Sequence, residues 1–318
     1  MTFLSILFAL LIEQVKPLRA DNPLYTGINS LAARMEGAFN AGQQSHGRMA
    51  WIIMILIVTV PVALVYWLLA GLSPFAALAW NVLAVYLTLG FRRYSHYFTS
   101  IQLALNGGDD TAARALLAEW TRRDTTGMDA SEVARITVEE ALVATHRNVF
   151  GVFFWFLMPF GPAGAVLYRV AERLAVVWNE PDHLKNEAFG RFAAAAFYWI
   201  DWIPARLTAT AFAVVGNFED AIYAWRNFAH RWADEAVGVI LSAGGGAMGL
   251  RLGASAQAAA AFVPADASIV DSMGGESESP PGEEATSRAL QSTVGLVWRA
   301  LLLWMLLLLL LSFAVWLG

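Results

Sequence analysis

Two stretches of this sequence are long enough and apolar enough to cross a lipid bilayer, and that restricts the fold more than anything else in it. The hydrocarbon core of a bilayer, about 30 Å thick, takes about 20 apolar residues of α-helix to span. Residues 49–69 (MAWIIMILIVTVPVALVYWLL) carry no charge, and residues 294–317 hold nine leucines between 301 and 311 with Arg299 as their one charge. Over all 318 residues the chain is 58% hydrophobic and 15% charged, against roughly 45–50% and about 25% in an ordinary soluble domain. The expectation is an all-α, polytopic helical membrane protein with the lipid bilayer as its first partner.

Further apolar segments extend that reading. Residues 74–91 follow the first run after a short Ala70-Gly71-Leu72-Ser73 connection, so the two form an antiparallel helical hairpin, with Pro61 inside its first arm. A neighbouring helix or a local kink can accommodate the donor that Pro61 lacks. Residues 148–168 are uncharged but contain Pro159, Gly161, Pro162 and Gly164; they form either a kinked span or a re-entrant pair of half-helices. Residues 192–215 are apolar except for Asp201 and Arg206, and residues 236–263 are built largely from Ala and Gly, which suits close packing inside a bundle. The short apolar stretch 1–12 lacks a basic leader and a small-residue cleavage site, so it reads as a retained anchoring or re-entrant helix. About five or six membrane segments are expected.

The basic residues orient the chain. Lys16, Arg19, Arg34 and Arg48 precede the hairpin, and Arg92, Arg93, Arg114, Arg122, Arg123, Arg135 and Arg147 follow it, while its closed end has none. By the positive-inside tendency both flanks face the cytoplasm of a bacterial inner membrane. The expected divisions are an apolar helix and basic segment (1–48), the hairpin (49–91), a cytoplasmic helical subdomain (92–147), a membrane core of kinked helices (148–263), an acidic disordered linker (264–291) and a C-terminal transmembrane helix (292–318). In the subdomain, Asp109 and Asp110 precede one helical pattern and Asp129 precedes another, as helix caps do.

The chemical inventory is small. There is no cysteine, so thiolate metal sites and thiol nucleophiles are excluded, and the formal charge of −5 gives no basic face for nucleic acid. His46, His96, His146, His183 and His230 show no metal-binding spacing, and no GxxxxGK[ST] loop is present. Gly244-Gly245-Gly246 superficially suggests a phosphate loop, but an Ala/Gly helix surrounds it and tight helix packing is the expected role. Asp201 and Arg206 are ionisable groups in an apolar run, which usually face a bundle interior or a cavity and pair there; an interfacial ion pair is the plainer alternative. Arg169, Glu172 and Arg173 form a second charged group. Arg135 stands one turn before Glu139, a spacing that stabilises a helix by a few tenths of a kcal/mol, and a carboxylate such as Glu139 at a cavity mouth could bind a metal–nucleotide or act as a base.

The segments RRDTTGMDASEVARITVEE (122–140), FFWFLMPFGPAGAVLYR (153–169), WIPARLTA (202–209) and GGAMGLRLG (245–253), in that order, resemble the CobD/CbiB family of cobalamin biosynthesis and the related AmpE proteins linked to β-lactamase regulation. In CobD/CbiB the resemblance implies a synthase that joins an aminopropanol, or its phosphate, to a propionate carboxyl of adenosylcobyric acid with ATP and a divalent metal such as Mg. It would place Arg123, Asp124, Asp129, Arg135 and Glu139 on family positions, Glu139 as the catalytic candidate; Arg169, Asp201, Arg206 and Arg251 complete the candidate ligand or cavity residues. Counting without gaps, further family acids and an amide fall on Val143, Ala144 and Arg147, and an acidic pair falls on Phe197 and Tyr198. Those losses favour an AmpE-like member with a ligand-binding, sensory or accessory role, taking a corrinoid or other small molecule or a membrane or cytoplasmic protein partner. The alternatives are the adenosylcobinamide-phosphate synthase itself and, less favoured, transport past Asp201 and Arg206.

Overall fold

The computed structural model describes residues 2–18, 23–40, 43–179, 187–253 and 281–317. Most of the expected acidic linker therefore lies outside the described residues. Everything regular among the described residues is helical, apart from an isolated parallel bridge between Leu250 and Glu283. The helices are α1 (Thr2–Val15), α2 (Pro23–Phe39), α3 (Gln44–Leu72), α4 (Pro74–Thr88), α5 (Phe91–Asn106), α6 (Asp110–Thr121) and α7 (Ala130–Thr145). A π-turn (His146–Phe150) leads into α8 (Gly151–Leu157), followed by α9 (Pro162–Val177), α10 (Glu187–Val215), α11 (Phe218–Phe228), α12 (Glu235–Met248) and α13 (Ser287–Leu317).

Local chemistry accounts for several boundaries. Ser73 ends α3 and caps α4, its hydroxyl accepting from the Phe75 amide while Pro74 takes the first helical position, where a missing N–H costs nothing. Asp109 accepts the Ala112 amide at 2.9 Å and Asp129 the Glu132 amide at 2.7 Å, so both expected caps form. The Pro/Gly-rich run is two helices: the chain turns at 158–161, where Gly161 has φ +52°, and α9 packs back on α8. Gly164 permits that approach, because a Cβ there would run into the Trp155 carbonyl. The run is therefore two helices folded back on each other and not one continuous helix. The last helix starts at Ser287, inside the segment expected to be linker and ahead of the apolar run at 294.

The chain clusters into two compact units. The first comprises Met1–His96, Ala144–Thr208 and Leu301–Gly318. In it α4 packs on α1, α3 and α9, and α2 packs on α3 and α9, around Met54, Phe150, Phe153, Tyr168, Trp178 and Phe189. The second comprises Tyr97–Val143 and Ala209–Ala300. Here α12 is buried along nearly its whole length and packs on α11, with Phe212, Phe228 and Val239 in the interior. The glycine run belongs to this packing: Gly244 faces Leu142, and Gly246 lies against the backbone of Asp220 and Ala221.

Among the described residues, α3 and the Ser287–Ala314 part of α13 are long and apolar enough to cross a membrane, with mean hydropathies of 2.7 and 2.4. The first unit leaves large apolar side chains uncovered on these helices, among them Ile52, Leu56, Leu64 and Trp67 on α3 and Leu302, Leu306 and Leu310 on α13.

Candidate functional site

The motif residues of the second unit converge on Glu139. Its side chain is largely buried on α7, and one oxygen, Oε1, accepts two donors: Arg135 Nη1 at 2.8 Å and the backbone N–H of Gly253 at 2.8 Å. The first donor is local, one helical turn earlier. The second comes from the loop that follows α12. Gly249 ends that helix at φ +67° and Gly253 adopts φ +111°, a region that residues with a Cβ rarely enter. Glycine is therefore what lets this loop turn its amide toward the carboxylate. Residues 282 and 283 hold the loop from the other side: Arg251 N–H donates to the Glu283 carbonyl at 2.8 Å, Glu283 N–H to the Gly249 carbonyl at 2.9 Å, and the Arg251 guanidinium to the Gly282 carbonyl at 3.3 Å.

Around this carboxylate lie paired charges. Arg135 also reaches Glu132 at 3.6 Å, and Arg123 pairs with Glu140 at 3.1 Å. Asp124 folds over its own loop, accepting the Thr126 amide at 2.9 Å. Hydrogen bonds from the Thr126 side chain and backbone hold the Asp124 carboxyl below the usual carboxylate range. Asp129 serves as the cap of α7, which sets where Arg135 and Glu139 emerge. Arg123, Arg135, Glu139 and Glu140 thus lie within one stretch of sequence, and the Gly253 amide joins them from more than a hundred residues away. The arrangement offers guanidinium donors for an anionic ligand and carboxylates for a cation or an amine.

The remaining candidates belong to the first unit and serve another purpose there. Asp201 is 2% exposed. Its Oδ1 accepts from Tyr168 Oη at 2.8 Å and from His146 Nε2 at 2.8 Å. The other ring nitrogen, Nδ1, lies 2.8 Å from the Thr208 hydroxyl. The expected pairing of Asp201 with Arg206 does not form. Five residues on one helix are separated by about 500°, or about 140° around the axis, so the two side chains leave α10 on different faces. Arg206 instead stacks on Trp202, 3.7 Å from the ring centroid, and donates to the Trp202 carbonyl. Pro204, between them, strips the Ile200 carbonyl of its helical donor, and the Trp155 indole N–H replaces it at 3.1 Å.

Arg169 is buried as well. It donates to the Thr88 carbonyl at 2.8 and 3.1 Å and to the Arg147 carbonyl at 3.2 Å, with Glu172 at 3.4 Å. These contacts tie off the C-terminal end of α4. Spacing alone had set the histidines aside; His146 turns out to be half of a buried pair, and Tyr168 was missed altogether. The one sequence signal for them was the unpaired carboxylate at Asp201, which required donors from elsewhere in the fold.

Comparison with known proteins places these motifs. The family model described as CobD/Cbib protein matches residues 7–277. A protein of Stutzerimonas stutzeri named cobalamin biosynthesis protein CobD is 33% identical over 317 residues, covering 96% of this chain and 97% of its own length. A protein of the same name from Chromobacterium violaceum is 35% identical over 206 residues, 64% of each chain. The probable cobalamin biosynthesis protein CobD of Thermoplasma volcanium is 24% identical over 246 residues, 76% of this chain and 77% of its own. No solved structure gives a significant match. A family match across most of the chain, with a 33% identical relative aligned nearly end to end, makes this chain a member of the CobD/CbiB family.

Proposed function

We propose that this protein is the membrane-bound synthase of its family, which forms an amide between a propionate carboxyl of adenosylcobyric acid and an aminopropanol or its phosphate. The observation that carries this reading is the near end-to-end likeness to a relative named for cobalamin biosynthesis, joined to the convergence of the 122–140 and 245–253 segments on Glu139. The sensory, AmpE-like reading gives way to it. That reading rested on a gapless count of lost acids, whereas the relatives reported above all carry a biosynthetic name.

The residues around Glu139 suit ATP and Mg²⁺. Magnesium is commonly held by one or two carboxylates together with substrate phosphates. Glu140 would supply such a carboxylate, leaving Glu139 for proton transfer, while Arg123 and Arg135 would neutralise phosphate oxygens. When bound, the nucleotide would supply activation of the propionate carboxyl. Glu139 would then take the proton that the amine nitrogen sheds as its bond to the carbonyl carbon forms, with Arg135 and the Gly253 amide fixing the carboxylate at Oε1. The apolar α3 and α13 would anchor the chain as a multi-pass inner-membrane protein, with the Glu139 segment facing the cytoplasm.

Complementation of a strain lacking the synthase tests this. The wild-type protein should restore growth that depends on cobalamin made from adenosylcobyric acid. Glu139→Ala, assayed in membranes at equal protein abundance, should lower turnover by about 10²–10⁴-fold, the range for a general acid–base group. Failure of the wild type to complement, or full activity of Glu139→Ala, would reject the reading.

A further inference from the structure

The first unit has a groove between α1 and α4 that the synthase reading does not use. Phe8 and Ile12 of α1 form one wall, and Phe75, Leu78, Val82 and Tyr86 of α4 the other. Its volume is about 530 Å³, within the range of about 300–1,000 Å³ usual for small-ligand sites. Both walls are uncovered, with Phe8 43% and Phe75 79% exposed. From Phe75 to Tyr86 the groove runs eleven residues along α4, or about 16 Å at 1.5 Å per residue. That is long enough to seat most of one acyl chain.

Its two ends differ. The Phe75 end lies at the uncharged turn between α3 and α4. At the other end the Tyr86 hydroxyl donates to the Lys16 carbonyl at 2.8 Å, and Arg92 Nη1 donates to the Gln14 carbonyl at 2.7 Å. Two exposed basic residues, Lys16 and Arg92, therefore stand together where the apolar walls stop. Glu13, the acid beside them, is buried and accepts the Arg92 backbone N–H.

We infer that this groove holds an acyl chain of an acidic glycerophospholipid, with the lipid phosphate meeting Lys16 and Arg92. The inference rests on the membrane reading given above. It commits to a lipid over a second copy of the chain because the walls are apolar and end beside two exposed basic residues, a charge complement to a lipid phosphate.

The full chain is tested after incubation with vesicles of equimolar phosphatidylglycerol and phosphatidylcholine of matched acyl chains, gentle extraction and native mass spectrometry. One phosphatidylglycerol should be retained in preference to phosphatidylcholine by between about fivefold and about thirtyfold, each basic side chain contributing about fivefold. Lys16→Ala with Arg92→Ala should bring that ratio near one. Ala79→Trp, which fills the groove, should remove either lipid while thermal unfolding stays as in the wild type. If that variant is poorly folded, Leu83→Trp, at a position 43% exposed, serves the same purpose. Equal retention of the two lipids by the wild type overturns the inference, as does a dimer that Ala79→Trp dissociates. A chain washed from membranes by alkaline carbonate would refute the membrane reading itself, whereas a chain that stays but keeps no phosphatidylglycerol refutes the lipid alone.

Discussion

Asp201 owes its place in an apolar helix to donors that arrive from elsewhere in the first unit. A buried carboxylate without partners is far too costly to keep charged, and here the Tyr168 hydroxyl and His146 imidazole meet it on a single oxygen. Removing Asp201 leaves the Tyr168 hydroxyl and the His146 ring nitrogen buried without their acceptor, which typically costs about 1–3 kcal/mol per group. Asp201→Ala should accordingly lower the thermal unfolding temperature of detergent-solubilised protein markedly, while Arg206→Gln, which removes a surface stack on Trp202, should cost about 1 kcal/mol or less. Equal effects of the two would mean that Asp201 gains nothing from its donors. The two candidate groups were not equally legible. Arg135 and Glu139 are neighbours by helical spacing and could be paired from the sequence; Gly253 joins them across more than a hundred residues, and no spacing rule reaches that far. Likewise a carboxylate in an apolar run announces that it needs a partner, but not which one.

Among the elements, α12 shows how a stripe of small residues is used. Its glycine run resembles a phosphate loop only as a string of letters. In the fold it lies within a helix that presses against α11 through Gly246 and against Leu142 through Gly244. A Cβ at position 246 would meet Ala221 Cα at 2.8 Å, backbone that cannot swing aside. Gly246→Ala is therefore expected to destabilise the protein by about 1–3 kcal/mol, the usual cost of overpacking. Gly27→Ala, in α2 with nothing within 4 Å of the added carbon, should instead stabilise by about 0.5–1 kcal/mol through helix propensity. A pair of thermal melts checks the contrast, and a neutral Gly246→Ala would show that α11 and α12 pack more loosely than their backbones indicate. The caps at Asp109 and Asp129 were legible because capping is a contact within one turn. The break at 158–161 was legible as a break, but whether the two pieces continue or fold back depends on packing at Gly164.

For the whole molecule, the testable statement is orientation. A reporter fused after Arg122, in the exposed turn that ends α6, should signal from the cytoplasm if the arginine-rich flanks set topology; a periplasmic signal would reverse the assignment and put the Glu139 group on the wrong side for a nucleotide. The sequence alone determined that the chain is helical and that α3 and α13 are apolar over a bilayer's length, because hydrophobicity and helical period are local quantities summed over about 20 residues. It also carried the family motifs. Which of their charges meet was decided only in three dimensions. Glu139 gains the Gly253 amide, Asp201 gains His146 and Tyr168 in place of Arg206, and Trp155 takes up the carbonyl that Pro204 leaves bare. The physical reason is the same in each case: a buried polar group must find a partner, and its identity depends on which helix faces pack together, something no local pattern of residues encodes.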